Sequence, residues 1–498
     1  MSKKTGFFLN GILLTLVGFA VRAASLFLGA YITSAIGAEG IGLQSLIMTV
    51  YSFAVTFATS GVSLSVTRLV AAAIGEGKED EGERVLRGAF IYGAIFGLLA
   101  TVLLFSLSGI IGRGVLSDVR TVGALRVLSI SLLPIALGSV ISGYFIAVRR
   151  VTLNAAVQVL GQLMRIVLTV VLLMHYATGG VESAVMALAI GATATEVACF
   201  LLALLEFVID RRIYGTVRAK GYATADVARM ALPIAFSAYV RSFLLSVEHS
   251  LIPKRLVERG NSSKDALSSY GYLHGMALPI ILFPMTPLSS FSGLLVPEFA
   301  ESEGAGQKKR MEYIAGEALD KTLMYAVMSA VFIFAFAEEL GYVIYHSYDA
   351  GYYISLLAPV IPIMYLDHVT DAMLKGIGEQ VFSMWVNIAD AFLSVVLVWA
   401  LIPVFDISGY AIVIVAMEIF NFTLSFLRLG RRVKFRLNPV RSILLPFLAA
   451  LVSVWLSAAV FKSNGSATSA AMLIMKGVFS ICVFILIRLI MLRKVDKK

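Results

Sequence analysis

The sequence predicts an all-α polytopic membrane protein with about fourteen transmembrane helices. The chain has 498 residues, of which 59% are apolar and only 14% charged, and its mean hydropathy is +0.89. Soluble domains carry about 25% charged residues. Apolar runs of about twenty residues, long enough to cross a bilayer, recur along the whole length. Because lipid offers no hydrogen bonds to the backbone, runs this long and continuous indicate helices.

Fourteen apolar windows, bounded by charge, glycine, proline or asparagine, predict the helices in chain order. Their ranges are 7–36, 41–73, 86–111, 121–148, 154–176, 182–208, 226–252, 266–295, 314–337, 352–376, 381–402, 408–430, 440–461 and 468–491. The ninth window contains Asp320 and Lys321 near its start, and Glu338 and Glu339 lie at its end.

Lysine and arginine are unevenly divided between the two sets of connections, which predicts the orientation. The set that includes both termini contains twenty-four basic residues, and the alternate set contains seven. Basic connections stay on the cytoplasmic side, so both termini are predicted to be cytoplasmic, with the protein in the cell membrane. The same distribution explains the net charge of +10 by topology and argues against nucleic acid as a partner.

The two halves of the chain resemble each other when helices 1–6 are aligned with helices 7–12. The aligned positions are Arg22 with Arg241 at an offset of 219 and then, at 228 or 229, Gly42 with Gly271, Gly75–Gly77 with Gly304–Gly306, and Leu133–Ile135 with Ile361–Ile363. Six crossings per repeat give both halves the same orientation, with an axis along the membrane normal. This predicts a six-helix bundle at 1–215, a second at 216–435, and two extra helices with a basic tail at 436–498.

Three arginines in apolar segments are predicted to hold a diphosphate group: Arg22, Arg165 and Arg241. A central membrane arginine costs roughly 2.5–3.5 kcal/mol on insertion scales, so such residues usually face a protein interior or a watery cavity. A guanidinium binds two phosphate oxygens at once and stays charged. Two alternatives stay open: helix packing through the glycines around Arg22, and an ion pair involving Arg241 and Glu248, seven residues apart on one face.

Carboxylates inside apolar segments offer a cation or proton site. The candidates are Glu196, Glu248, Asp390 and Glu418, with Asp367 and Asp371 nearer a cytoplasmic end. Asn387 and Asp390 belong to a polar stripe on helix 11 that repeats a stripe on helix 5, and interhelical hydrogen bonding is the alternative for both stripes. Asp367, Asp371 and Lys375 are spaced by four residues, which also suits pairing among themselves.

No catalytic constellation is visible, so we expect a protein that is not an enzyme. Cys199 and Cys482 fall inside apolar spans and suggest neither a disulfide nor a metal site. The histidines lack metal-ligand spacing, and Gly75–Gly77 follows no strand that would make it a nucleotide loop. We expect no metal and no cofactor, with Na⁺ or H⁺ as the candidate coupling ion, and a monomer whose partners are a lipid-linked substrate and membrane lipids.

Several features together carry a resemblance to a known family: the early Arg22, the IGAEGIG turn at Ile36–Gly42, the PEFAE segment at Pro297–Glu301, and the six-plus-six-plus-two helix plan. With these features, nearly the whole chain resembles the multidrug/oligosaccharidyl-lipid/polysaccharide flippase superfamily. It is most similar to the stage V sporulation protein B group and to related lipid-linked oligosaccharide flippases, including the lipid II flippases. The resemblance implies two bundles in a V around a central cavity that opens to either side alternately. An undecaprenyl-diphosphate head group would cross while its lipid tail stays in the bilayer.

The resemblance also implies roles for individual residues. Arg22 matches a cavity-facing arginine of the family's first helix. The lipid II flippases have a sodium site made of an acidic residue of helix 7 and an Asn/Asp pair of helix 11, and the nearest counterparts here are Glu248, Asn387 and Asp390. This chain departs from that pattern in having Glu in place of Asp and a spacing of three instead of four between the asparagine and the aspartate.

The leading hypothesis is therefore a flippase for a lipid-linked cell-wall or polysaccharide precursor. A cation-coupled multidrug exporter of the same superfamily is the first alternative, and it would use carboxylates such as Glu196 and Asp390 for cationic substrates. A membrane scaffold for envelope-synthesis enzymes, which transports nothing, is the second.

Overall fold

The computed structural model describes residues 3–148, 150–176, 179–214, 221–435, 437–461 and 469–495. All regular elements in these ranges are helices, which confirms the predicted all-α class. Contacts divide the chain into two compact units. Unit A is Ala35–Ser268, and unit B is Met1–Ser34 together with Ser269–Lys498.

The helices of unit A follow one another with short connections, and the first and last of them cross a unit boundary. They are α1 (Lys3–Thr59), α2 (Val62–Gly75), α3 (Glu79–Ile110), α4 (Thr121–Ser129), α5 (Leu132–Ala147), α6 (Val151–Tyr176), α7 (Val181–Tyr214), α8 (Thr224–Glu258) and α9 (Ser263–Tyr270). A π-helical segment, Ile111–Val115, extends α3.

The helices of unit B include several short ones that join into longer bent segments. They are α10 (Leu278–Leu282), α11 (Met285–Gly304), α12 (Lys308–Ala335), α13 (Ala337–Tyr345), α14 (Tyr348–Leu357), α15 (Ile361–Gly376), α16 (Gln380–Phe405), α17 (Ile407–Arg432), α18 (Leu445–Val460) and α19 (Ala470–Val495). π-helical segments precede α10, at Gly271–Ala277, and α18, at Val440–Leu444.

Many of the described helices are long and apolar enough to cross a membrane. Ten helical segments are long and apolar enough to span a bilayer, or thirteen when three bent pairs each count as one span. One of the ten, Ala20–Gly75, runs for 56 residues, or about 84 Å against a hydrocarbon core of about 30 Å. It is interrupted at Gly37, whose φ of 68° is open to glycine at no steric cost. The multi-pass class is confirmed, and the count of fourteen stays a prediction.

Unit A is held together by apolar packing among α2, α3, α5 and α8. Its core includes Val66, Leu86 and Val227, all nearly inaccessible to solvent. The helices approach closely where glycine leaves room: a Cβ added at Gly143 of α5 would lie 2.6 Å from the carbonyl oxygen of Ser63. Small residues at helix interfaces are a usual means of packing membrane helices.

Unit B has its main core where α11, α12, α15 and α17 meet. Phe299, Leu319, Val369 and Leu429 are fully buried there. Phe299 belongs to the PEFAE segment singled out from the sequence, so at least this part of that segment has a packing role. Burying large apolar side chains contributes to stability within the unit wherever neighbouring protein excludes water.

The last two helices, α18 and α19, pack on α12 in unit B. Val331 of α12 contacts a small apolar cluster with Ala449 and Phe484. Lys476 of α19 is only 5% exposed and donates a hydrogen bond to Glu339 of α13 at 2.6 Å. A buried ammonium needs such a partner, because leaving it unpaired in a low-dielectric site costs several kcal/mol.

Two pairs of turns recur 229 residues apart with the same backbone hydrogen bonds. After α2, Gly77 N donates to Ile74 O at 3.1 Å, and after α11, Gly306 N donates to Glu303 O at 3.0 Å. The two glycines have φ angles of 72° and 66°. This is the Schellman arrangement that ends helices at glycine.

The second pair follows α5 and α15. Arg150 N donates to Phe145 O at 2.8 Å, and Glu379 N donates to Leu374 O at 2.9 Å. These local geometries support the repeat at both turns. The complete six-plus-six arrangement stays a prediction.

The compact units have different bounds from the predicted parts 1–215, 216–435 and 436–498. Helix α8 belongs to unit A because it packs on α2 and α3. The first 34 residues cluster with unit B. The predicted bundle bounds stay a prediction.

Candidate functional site

Arg22 lies on the first segment of α1, in unit B, and its side chain is exposed. It makes no hydrogen bond or ion pair with any residue in the described part of the chain. Gly18 and Gly29 on the same helix have no atom within 4 Å of an added Cβ. The glycines around Arg22 therefore show no close helix contact among the described residues, which disfavours the packing alternative for this stripe.

Arg241 lies on α8, in unit A, and is also exposed. Within the described ranges it has no ion-pair partner, so the alternative of a pair involving Glu248 is not observed. Glu248 is on the same helix but only 6% exposed. The two residues lie on the same helix, but Glu248 is buried and Arg241 is exposed. The N–H groups of the Arg241 guanidinium are therefore available to a ligand.

Arg165 of α6 is engaged by a carboxylate of the neighbouring helix. Its Nη2 donates to Oε1 of Glu196 on α7 at 2.8 Å, with the two side chains 40% and 28% exposed. The sequence placed Arg165 among the diphosphate ligands and Glu196 among the carboxylates, and the structure pairs them. Arg165 is thus neutralised in this conformation, unlike Arg22 and Arg241.

Glu196 also lines a cavity of about 160 Å³ between α5, α6 and α7. Glu206, ten residues further along α7, lines the same cavity, as does Cys199. Oε2 of Glu206 is buried without a hydrogen-bond partner in the described part of unit A. The cavity therefore presents acidic oxygen atoms inside a helical unit.

Asn387 and Asp390 lie on α16 of unit B, whereas Glu248 belongs to unit A. The amide nitrogen of Asn387 donates to the carbonyl oxygen of Ser383 at 2.7 Å, one turn earlier on its own helix. The predicted set of Glu248, Asn387 and Asp390 is thus divided between the two units, and its role as one ion site stays a prediction.

Asp390 instead has two acidic neighbours within unit B. It lies close enough to interact electrostatically with Asp367 of α15 and Glu418 of α17. We call Asp367, Asp390 and Glu418 the carboxylate cluster. Sequence reasoning named all three residues but did not group them, because they come from three different helices.

Asp371 and Lys375, one turn apart at the end of α15, form the ion pair that their spacing suggested. Lys375 Nζ lies 2.5 Å from Asp371 Oδ2. Asp367 has no part in that pair, and its Oδ1 is buried without a hydrogen-bond partner in the described ranges. The local pairing alternative therefore holds for Asp371 but not for Asp367.

Two groups of ion pairs, which the sequence did not predict, lie at the recurring turns after α5 and α15. We call them clamps. After α5, Arg150 pairs with Asp210 at the end of α7, and the Tyr144 hydroxyl donates to the same carboxylate at 2.9 Å. The sequence shows basic residues at this turn and an acidic residue near a helix end, but nothing in it shows that they meet.

The corresponding clamp in unit B has the opposite arrangement of charge. Glu379 accepts from Arg428 at 2.8 Å and from Arg432 at 2.7 Å, both on α17. The Arg428 guanidinium, followed by that of Arg432, holds the pKa of the Glu379 carboxyl below its usual value. The clamp fixes the α15–α16 turn to the end of α17.

Two protein families match parts of the chain. Residues 8–303 match the family described as polysaccharide biosynthesis protein, and residues 256–400 match the MatE family. Stage V sporulation protein B of Bacillus subtilis (strain 168) is 27% identical over 430 residues, which cover 83% of this chain and 82% of that protein. The lipid II flippase MurJ of the same organism is 20% identical over 453 residues, with coverage of 84% and 82%.

Solved structures share the fold. Lipid II flippase MurJ in an inward closed conformation aligns with a TM-score of 0.75 at 15% identity, over 97% of this chain and 100% of that one. An inward-facing MATE family transporter of the MOP superfamily aligns with a TM-score of 0.68 at 17% identity, over 84% and 98%. Since the first family match alone covers more than half of the chain, the protein belongs to the polysaccharide biosynthesis protein family, within the multidrug/oligosaccharidyl-lipid/polysaccharide (MOP) superfamily of multi-pass membrane proteins.

Proposed function

We propose that the protein is a flippase that moves a polyprenyl-diphosphate-linked saccharide or peptidoglycan precursor across the cytoplasmic membrane by alternating access. The observation that carries this proposal is the state of Arg22 and Arg241. Both are exposed side chains inside candidate membrane spans, and neither has an ion-pair partner in the described part of the chain. The names of two relatives, lipid II flippase and stage V sporulation protein B, support a lipid-linked substrate.

An exposed guanidinium inside a membrane span suits a transient anionic ligand. Keeping it away from lipid requires water or a counter-charge, which a diphosphate supplies through two or more oxygens per arginine. Arg165 becomes available to a diphosphate only when Glu196 releases it. Arg22 and Arg241 are therefore the proposed diphosphate ligands, and Arg165 is a ligand only after its ion pair with Glu196 opens.

The test is a flipping assay with reconstituted protein and a fluorescent undecaprenyl-diphosphate saccharide. Arg22→Gln and Arg241→Gln should each lower the initial rate about tenfold or more, since a charge-assisted hydrogen bond contributes about 1.5–3 kcal/mol. Arg431→Gln is the matched control, because Arg431 is exposed at the end of α17 and belongs to neither candidate site. Wild-type rates in both of the first two variants would exclude the arginine assignment.

We further propose that the carboxylate cluster couples transport to Na⁺ or H⁺. Three interacting carboxylates inside a membrane unit repel one another, and binding a cation or proton relieves that repulsion. Replacing Asp390 by Asn should abolish the response of the flipping rate to an imposed ion gradient while leaving flipping without a gradient intact. Imposing Na⁺ and H⁺ gradients separately on the wild type identifies the ion, and an unchanged response of the variant contradicts the assignment.

Cation-coupled export of drugs is the second candidate function. The MatE match over residues 256–400 and the MATE structural neighbour favour it, as does the acidic cavity at Glu196 and Glu206. A competition experiment with a cationic dye and a lipid diphosphate distinguishes the two functions. If the lipid diphosphate binds much more tightly than the dye and displaces it, the result supports the flippase. Tight binding of the dye that depends on Glu196, with no binding of the lipid diphosphate, supports the exporter.

A further inference from the structure

A cavity of unit B shares no lining residue with the arginines or the carboxylate cluster. It has a volume of about 530 Å³, is open on one side, and is lined by residues of α12, the π-helical segment Val440–Leu444 and α19. Binding pockets for small molecules usually have volumes of about 300–1,000 Å³. Helix α12 and the π-helical segment begin at this end of the unit and α19 ends there, so the predicted topology places the cavity near the cytoplasmic leaflet.

Arg488 of α19 is a buried cation in the wall of this cavity. It is only 9% exposed, and its Nη2 donates to the carbonyl oxygen of Arg441 at 3.0 Å. Its Nε contacts the sulfur of Met324 at 3.4 Å. Nη1 has no hydrogen-bond partner among the described residues. A buried guanidinium without a carboxylate is costly, so a further anionic partner would stabilise it.

Arg441 supplies a second guanidinium at the same wall, from an exposed position in the π-helical segment. Its side chain pairs with no carboxylate in the described part of unit B. Three other charged side chains of the lining are engaged: Lys321 pairs with Glu317 at 2.7 Å, and Asp320 accepts a hydrogen bond from Ser442. The available positive charge is thus concentrated at Arg441 and Arg488.

Negative charge is also present in the lining. Glu312 of α12 lines the cavity and has no ion-pair partner among the described residues. With Glu317 and Asp320, the lining holds three acidic side chains against three basic ones, Arg441, Arg488 and Lys321. A lining with as many acidic as basic side chains favours a zwitterion over a purely anionic group, since both charges of the ligand can meet an opposite charge.

We propose that this cavity binds the head group of a zwitterionic membrane phospholipid with a primary ammonium group. Its phosphodiester contacts Arg441 and Arg488, and its ammonium contacts Glu312. Guanidinium groups suit phosphate oxygens, and a carboxylate suits a primary ammonium that can donate hydrogen bonds. The inference does not depend on the proposed transport function, because none of these residues belongs to either candidate site.

The experiment uses full-length protein in detergent micelles with added dioleoyl-phosphatidylethanolamine, followed by thermal unfolding and native mass spectrometry. We expect the lipid to raise the Tm of the wild type and to remain bound in the mass spectrum. Arg441→Gln, a change at an exposed position, should weaken lipid binding about tenfold. Arg431→Gln removes one exposed arginine outside the cavity and should leave binding unchanged.

Three outcomes would overturn the proposal in distinct ways. Wild-type lipid binding by both Arg441→Gln and Arg488→Lys removes the phosphate site. Equal stabilisation by soluble phosphoethanolamine at the same concentration excludes the lipid as the source of the ligand. A Glu312→Gln variant with an unchanged preference for phosphatidylethanolamine over phosphatidylglycerol removes the ammonium site.

Discussion

Arg150 and Glu379, 229 residues apart, each donate the same type of backbone hydrogen bond after a helix, and their side chains carry opposite charges in two ion-pair clamps. Arg150 pairs with Asp210 at the end of α7, and Glu379 pairs with Arg428 and Arg432 at the end of α17. In each unit, the turn is thus tied to the end of a later helix by ion pairs, but the sign of the charge at the turn is reversed.

Glu379→Gln should destabilise unit B. The carboxylate is almost fully buried and accepts from two arginines, so its loss leaves both guanidiniums without their partner. Because Arg428 and Arg432 are partly exposed, we expect a moderate loss of about 1–3 kcal/mol. Thermal unfolding in detergent measures it, with Glu301→Gln, an exposed carboxylate near the end of α11, as the control. Equal Tm values for the two variants would show that the clamp has no net effect on stability.

The stabilising effect of Glu379 should depend on pH in a defined direction. Its pKa in the folded protein is lowered from the usual value of 4.5, first by Arg428. The carboxylate therefore contributes stability above the unfolded-state value, and this contribution is lost as the pH falls through the folded-state value. The Tm difference between the wild type and Glu379→Gln should stay constant from pH 8 to about pH 5.5 and shrink in more acidic solution. A difference that grows with acidification would contradict this assignment.

Local signals in the sequence predicted the fold features that depend on single turns. The break within α1 lies at Gly37, in the IGAEGIG turn that separates the first two predicted helices, because a positive φ is open to glycine. Gly77 and Gly306 end α2 and α11 in the same way. Such features need only a few neighbouring residues, which the sequence displays directly.

Contacts between helices could not be predicted from the sequence, for a physical reason. Periodicity defines a polar face of one helix but not which helix meets that face, so Arg165 was assigned to the substrate instead of to Glu196. The same limit hid the cavity at Arg488, whose sulfur contact, Met324, is 164 residues away. Conversely, shared spacing suggested a pair for Arg241 that the fold does not form, because Glu248 is buried and Arg241 is exposed.

A double-mutant cycle should detect the pair between Arg165 and Glu196. Arg165→Gln and Glu196→Gln are each expected to lower stability, whereas the double variant should lose less than the sum, because no unpaired charge remains. Since both side chains are partly exposed, we expect a coupling energy of about 0.5–1 kcal/mol. Unfolding in detergent measures all four proteins. Strict additivity of the two single effects would show that the ion pair is energetically silent.

Gly143→Ala should destabilise unit A more than the same change at Gly109. The added methyl at Gly143 would lie 2.6 Å from Ser63 O and 3.0 Å from Val66 Cβ, so α2 and α5 must separate. Overpacking of this kind costs about 1–3 kcal/mol. Gly109, near the end of α3, has nothing within 4 Å of an added Cβ, and alanine there should be neutral or slightly stabilising because it favours the helix. Thermal unfolding of both variants tests the contact, and a Gly143→Ala protein as stable as Gly109→Ala would mean that α2 and α5 are not closely packed at this point.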